Sequence, residues 1–412
     1  MKYFVSIIFF LLFLLPSMAG EIRVCSSCEV KTVKQAIEIA QSGDTIIIEK
    51  GVYKEYDINI IDKTLHIKGI DYPVIDAEMK GTAFGIKADG VSIEGLKIIN
   101  IGRSYTKEFA AILLNGSQNF TLKNNILENV FFGFLIEKSV NGLIEGNRIK
   151  GKGSEETNSG NAIHLWNSSE ITVKNNHVQG MRDGIYIEFG KNCNIINNVC
   201  ENNLRYGLHF MFSNNNSYVG NTFDNNGAGV AVMFSKFIEM KKNLFRKNWG
   251  TASYGLLLKE ISDATLEHNV FEDNSIAVTA DGTNRVKFIE NDFISNGYAI
   301  KVHGGAYTTS FTRNNFLYNS FDVGYSGRLN DNTFNGNYWS EYRGYDLNKD
   351  KIGDVPFRPV KLFSYLVNQT PEAIVLLRSL FIDLVDFSEK VSPIFTPAEL
   401  IDNEPQMNRI KW

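Results

Sequence analysis

Proline is scarce in this chain, with 8 in 412 residues, and so are cysteine, with 4, and histidine, with 6. So few cysteines exclude a disulfide-dense scaffold, and so few histidines leave little room for an imidazole-rich metal cluster. Basic residues number 42 against 46 acidic, a formal net charge of −4, so there is no positive field of the kind that holds nucleic acid. No apolar run after the first twenty residues reaches the ~18 needed to cross a bilayer. With 43% hydrophobic and 21% charged residues, the chain is too apolar to be disordered. What it has in excess is asparagine, 44 residues, which points to turns repeated many times.

The first residues carry an address. Lys2 precedes an apolar run from Tyr3 to Leu15, followed by Pro16, Ser17, Met18 and Ala19. A charged start, a short apolar core and a small-residue end read as a secretory signal over 1–19, cleaved near Ala19; a retained anchor is the alternative, and either exports the body of the chain.

A phrase of the form x-Asn-x-apolar then recurs. Its asparagines are Asn125, Asn147, Asn176, Asn198, Asn221, Asn243, Asn269, Asn291, Asn314 and Asn332, at spacings of 22, 29, 22, 23, 22, 26, 22, 23 and 18. The two long spacings contain GKGSEETNSG (151–160) and WGTASYG (249–255), which read as loops inserted into a fixed period. Each repeat holds three short alternating segments, such as GIYI (184–187), then Cys193/Ile195, then the Asn phrase. Three period-two strands in about 22 residues make one coil of a right-handed parallel β-helix, an all-β solenoid. Stacking sets the asparagines ~4.8 Å apart, where amide-to-amide hydrogen bonds satisfy the turn interiors.

Solenoid ends need covering. Val33, Ala36, Ile37 and Ala40 fall at helical spacing, and Thr32 with Gln35 resembles a capping box, so 20–44 reads as an N-terminal cap. The coils run from 45 to 340, an Asp/Asn-rich turn segment follows over 341–359, and 360–412 reads as a helical tail. There, Ile374, Leu377, Phe381, Leu384 and Val385 mark one apolar helix face, and Pro393, Pro397 and Pro405 break up an extended end. This tail is either a lid on the last coil or a docking arm.

Candidate functional residues follow from alternation. Counting from the small residue that opens each coil, offsets one and three are apolar and point inward, so offsets two and four point outward. The outward stripe brings His164, Trp166, Tyr186, Glu188, His209, Met211 and Met233 onto four successive coils. Met211 and Met233 are 22 residues apart at one offset and should stack ~4.8 Å apart, with His209 ~7 Å along the strand from Met211. Two thioethers and an imidazole suit a soft ion such as Cu(I). A protein interface, which would also take in His164, Trp166, Tyr186 and Glu188, or plain packing under a loop would use the same residues. Cys193 and Cys200 fall at inward positions as inert core thiols, whereas the CSSC of Cys25 and Cys28 reads as a disulfide. Asp346, Asn348, Asp350 and Asp354 are spaced like part of a calcium loop. Lys351 and Phe357 at the positions of its glycine and bidentate glutamate exclude an EF-hand, leaving a shortened Ca site or an unliganded turn. Parallel β-helices also handle polysaccharides, but the outer stripe carries only Glu137, Glu188 and Asp281, with acid-free coils between them, so a polysaccharide-binding or polysaccharide-cleaving role is the second reading.

The phrases RYGLHFMFSNN (205–215) and AGVAVMFSK (228–236), with NYWSEYRGYD and IGDVPFRP within 337–359, resemble the NosD family, and the likeness runs in order over nearly the whole chain. The resemblance implies a periplasmic, non-enzymatic β-helix protein that serves maturation of nitrous oxide reductase. It implies association with the membrane subunit and the ATPase of an ABC transporter, a membrane-anchored copper chaperone as donor, and delivery of copper or sulfur for a copper–sulfide cluster. His209, Met211 and Met233 lie within the matching phrases, the tail resembles the family's C-terminal extension, and the CSSC is not part of the family pattern.

Overall fold

The computed structural model describes residues 20–104, 106–153, 156, 159–326, 331–377, 379–391 and 400–412; the expected signal segment 1–19 lies outside them. The chain winds as a right-handed parallel β-solenoid. Its three sheets have 14, 12 and 13 strands, all paired in parallel between successive coils. One coil is made of Asp183–Glu188 in the 12-stranded sheet, Asn194–Ile196 in the 14-stranded sheet and Val199–Glu201 in the 13-stranded sheet.

Doubled asparagines explain the tight corners. Asn124, Asn175, Asn197, Asn202 and Asn225 take left-handed backbone angles, φ 50–55°, which asparagine tolerates better than most residues. The next residue along turns inward. Asn125, Asn147, Asn176, Asn198, Asn221, Asn243, Asn269, Asn291 and Asn314 are buried, and each Nδ2 donates to the Oδ1 of the next rung at 2.9–3.1 Å. The rung above Asn314 is Asn337, not the Asn332 expected from the phrase: Asn332 serves another turn, accepting from Thr309 N at 2.9 Å. The 18-residue spacing was thus a shift to a different corner. A second ladder, Asn203, Asn226, Asn248, Asn274, Asn296 and Asn319, runs up the neighbouring turn. It too is present in the sequence, at a period of 22 to 26, outside the x-Asn-x-apolar phrase.

Inside, Phe223, Phe245, Phe271, Phe293, Phe316 and Trp339 stack with ring centroids 4.0–5.4 Å apart, a continuous aromatic column. At the N-terminal end, helix α1 (Val33–Ile39) buries Val33, Ala36 and Ile37, and Thr32 Oγ1 accepts from Gln35 N at 3.2 Å. The strand Glu21–Val24 precedes α1 and pairs with Thr45–Ile48, so sheet pairing begins inside the region read as a cap.

The other end departs from the expected tail. Before the expected helix comes α2 (Leu362–Gln369), which ends at the non-helical Thr370; a 3-10 turn (Pro371–Leu376) then precedes α3 (Leu380–Val391), so the α-helix covers only the second part of the expected apolar face. Phe363, Val367 and Ile382 pack with Tyr298 and Phe321 of the last coils. Residues 400–412, expected as an extended end, fold back and close the solenoid. The fully buried Asp402 accepts from Gly336 N, Asn337 N, Asn337 Nδ2 and Trp339 Nε1 at 2.9–3.0 Å, ending the asparagine ladder with a carboxylate. Ile410 N donates to Asn315 Oδ1 and Arg409 pairs with Asp292, each at 3.0 Å.

Candidate functional site

The outward stripe belongs to the 12-stranded sheet. Parallel pairing places Leu135, His164, Tyr186, His209 and Ala231 in one row, and Glu137, Trp166, Glu188, Met211 and Met233 in the next. The intervening Ile163, Leu165, Ile185, Ile187, Leu208 and Phe210 lie in the core. Alternation therefore sorts the faces as expected, and the two methionine side chains are half-buried outside the core cluster.

The imidazoles are not open to solvent, which corrects the expected exposed column. His164 is 9% and His209 7% exposed, because aromatic side chains close over them. The rings Phe132, His164, Tyr186 and His209 form a file with centroids 5.8, 4.7 and 4.8 Å apart. Tyr206 lies against His209 at 4.9 Å, and its hydroxyl meets that of Tyr254, from the inserted segment 249–255, at 3.4 Å. Asn161, just after the insertion 151–160, accepts from Arg182 at 3.2 Å.

Among the described residues, neither nitrogen of His164 or His209 has a hydrogen-bond partner. Burial draws both imidazoles down to about 4, with the Arg182 charge adding to the effect at His164, so both are neutral and keep a free lone pair. Tyr186 links the row of rings to the thioethers: its ring lies tilted against His209, and its hydroxyl donates to Met211 Sδ at 3.9 Å. Burial and then the Glu188 carboxylate push that phenol up to about 12. Met211 and Met233 are direct Cα partners on adjacent strands. The donor set here, an unpartnered neutral imidazole beside two thioethers, is soft and uncharged, as Cu(I) prefers. Among the described residues no group of three or more His, Cys, Asp and Glu could hold a metal ion, so any site on this face depends on methionine sulfur.

Asp183 and Arg205 complete the surroundings. Asp183 is fully buried and takes Arg205 Nε at 2.9 Å, and its Oδ2 lies 4.0 Å from His209 Nδ1. The pair stands 22 residues apart, just before successive coil openings. Immediately after Glu188, Met211 and Met233 come Phe189, Phe212 and Phe234. They are exposed, stacked at 5.4 and 5.1 Å, and held at φ 50–55°, an outlier region for a bulky side chain. Trp166 carries Lys138 Nζ 5.3 Å from its ring.

The remaining candidates lie apart from this face. Cys25 and Cys28 form a disulfide with a Cα separation of 5.0 Å. Cys193 and Cys200 are buried in the core, where burial pushes both thiols up, Cys193 to about 11. In the 341–359 segment the carboxylates turn onto their own backbone: Asp346 accepts from Asp350 N and Lys351 N, Asp350 from Ile352 N, and Asp354 from Leu347 N, an Asx-turn arrangement.

Comparison with known proteins agrees with the resemblance read from the sequence. The NosD family model, described as a periplasmic copper-binding protein, matches residues 151–344, the stretch that holds His164, Tyr186, His209, Met211 and Met233. The chain is 27% identical to a probable ABC transporter binding protein NosD of Pseudomonas aeruginosa, covering 84% of this chain and 85% of the relative. It is also 27% identical to the protein of the same name from Stutzerimonas stutzeri, covering 84% and 83%. Among solved structures, the A-module of an Azotobacter vinelandii mannuronan C-5 epimerase is similar at a TM-score of 0.50 and 13% identity, covering 74% of this chain and 86% of that one, a likeness of fold alone.

Proposed function

We propose that this chain, like the NosD proteins it resembles, is a periplasmic copper-binding protein that works as an assembly factor and not as an enzyme. Its cargo is Cu(I), held by Met211 and Met233 with His209. The observation that carries this reading is an orphaned, buried, neutral imidazole next to two registered thioethers, inside the segment that the family model matches. Thioether and imidazole bind Cu(I) without a charge to neutralise, so the ion can leave again for a stronger, thiolate-bearing or sulfide-bearing acceptor. The resemblance extends the proposal to partners. The acceptor is nitrous oxide reductase, the donor a membrane-anchored copper chaperone, and an ABC transporter, through its membrane subunit and ATPase, anchors the complex. The exposed Phe189, Phe212 and Phe234 flank the methionines and suit a transient protein contact during transfer.

The test is a Cu(I) titration against bicinchoninate, anaerobically and with ascorbate as reductant. The wild-type chain is expected to compete for the ion, with sulfur scattering in its Cu K-edge absorption. Met211→Ala/Met233→Ala should lose that sulfur-bound ion while keeping its far-UV spectrum. Sulfur-bound Cu(I) persisting in the double variant would remove the thioethers from the function.

A further inference from the structure

The four cysteines of the chain are of two kinds. Cys193 and Cys200 are buried in the core with their thiols pushed up, which makes them inert. Cys25 and Cys28 are half-buried, with the exposed Ser26 and Ser27 between them, and are joined to each other at a Cα separation of 5.0 Å. The methionine face makes no use of them. The coil of Met211 contributes Ser217–Val219 to the 14-stranded sheet, eight strand spacings, or about 40 Å, from the first strand Glu21–Val24.

A structural role gives the pair little to do. Their bond closes a ring of only four residues, the size at which a cross-link restrains the unfolded chain least. The turn is also held without it. Cys25 N donates to Val30 O at 3.2 Å, Cys28 N donates to Cys25 O at 3.3 Å, and Val24 bridges to Val30, both valines being buried. Just beyond, Thr32 caps α1, which buries Val33, Ala36 and Ile37. With the sulfur–sulfur bond opened, these contacts keep the two thiols together on one short surface turn.

Thiolates are the soft donors that select Cu(I), and two of them complete a linear site for it. The lining does not oppose such an ion. The Ser27 hydroxyl lies 3.3 Å from Cys25 Sγ, and Arg23 is paired with Glu21 and Glu49 at 2.7 and 2.8 Å. Cu(I) held by two thiolates carries one net negative charge, so the exposed Lys31, three residues after Cys28, does not repel it.

We propose that Cys25 and Cys28 form a redox-gated Cu(I) site, closed as the disulfide and open as the dithiol. The inference rests on the reading of this chain as a Cu(I) carrier, and it adds a second place of binding remote from the methionines. The gate opens by exchange with a dithiol reductant. One thiolate of the reductant attacks a sulfur of the pair and breaks the Cys25–Cys28 bond, and its second thiolate resolves the mixed disulfide. Two electrons and two protons pass to the pair, and the reductant leaves as a disulfide. Each cysteine thiol then loses its proton to solvent as it binds the ion, and copper stays Cu(I) throughout.

The test uses the full chain, either oxidised or reduced with dithiothreitol and desalted anaerobically. Counting thiols in the folded protein with an aromatic disulfide reagent should find none in the oxidised chain and two in the reduced one, because Cys193 and Cys200 are buried. In bicinchoninate competition the reduced chain should bind one equivalent of Cu(I) more than the oxidised chain, with an ultraviolet thiolate-to-copper charge-transfer band. Cys25→Ser/Cys28→Ser should lose that equivalent and that band, and Met211→Ala/Met233→Ala should keep both. Should the serine variant fail to fold by far-UV dichroism, the reduced chain blocked with iodoacetamide gives the same comparison. Equal binding by the oxidised and reduced chains, or an extra equivalent that survives loss of both thiols, would overturn the site. So would a pair that dithiothreitol leaves oxidised in the folded chain. Cu(I) bound by the oxidised chain reports on the methionine site alone, so the two readings fail separately.

Discussion

Asn221 shows how one side chain closes several accounts at once. It accepts from Asn198 N and Nδ2 and donates to Ile195 O and Asn243 Oδ1, all inside the solenoid. Truncation to alanine leaves the two Asn198 donors and the Ile195 carbonyl unpartnered, each at about 1–3 kcal/mol. Asn221→Ala should therefore lower stability by about 3–5 kcal/mol. Asn225 lies outside the ladder, and Asn225→Ala removes one exposed bond and a left-handed preference, a loss of about 1 kcal/mol. Urea denaturation monitored by far-UV dichroism compares the two, and equal losses would mean that the buried ladder is not the stabilising element. The ladder was legible in the sequence because it repeats at a fixed period. The covering of His209 was not, because it depends on Tyr206, held by Tyr254 of an inserted loop 48 residues further along the chain.

Elements at the C-terminal end divide into those that pack and those that do not. Phe363, Val367 and Ile382 are buried against the last coils, whereas Val375, Leu380, Leu384 and Phe387 are 60–85% exposed. A lid alone would have no use for that apolar face, and the proposed association with a transporter would cover it. Leu380→Glu/Leu384→Glu/Phe387→Glu should abolish co-purification with the transporter membrane subunit while leaving Cu(I) stoichiometry and the thermal transition unchanged. Co-purification that survives the triple variant would leave α3 without a docking role. The apolar residues of that face were legible in the sequence, but the 3-10 turn that sets Ile374 apart from α3 was not, since helical periodicity continues from Ile374 to Val385 while the backbone does not.

At the scale of the whole molecule, contacts between coils are local, so damage should stay near where it is made. Asp402 tests this. It is 65 residues beyond Asn337 in sequence, yet its carboxylate ends the ladder and also holds Trp339, the last ring of the aromatic column. Asp402→Ala leaves four buried donors unpartnered at one end of the solenoid. Hydrogen exchange should then quicken in the last coils, from about Asn291 onward, while the coils carrying His164 to Met233 keep their protection and the chain keeps its Cu(I) stoichiometry. Arg409–Asp292 and Ile410–Asn315 set that boundary, because they tie the returning chain to the coils just below the cap. A uniform loss of protection down to the copper face would mean that the solenoid unfolds as one unit. The closing segment would then bear directly on the face of Met211 and Met233, far from where it is anchored.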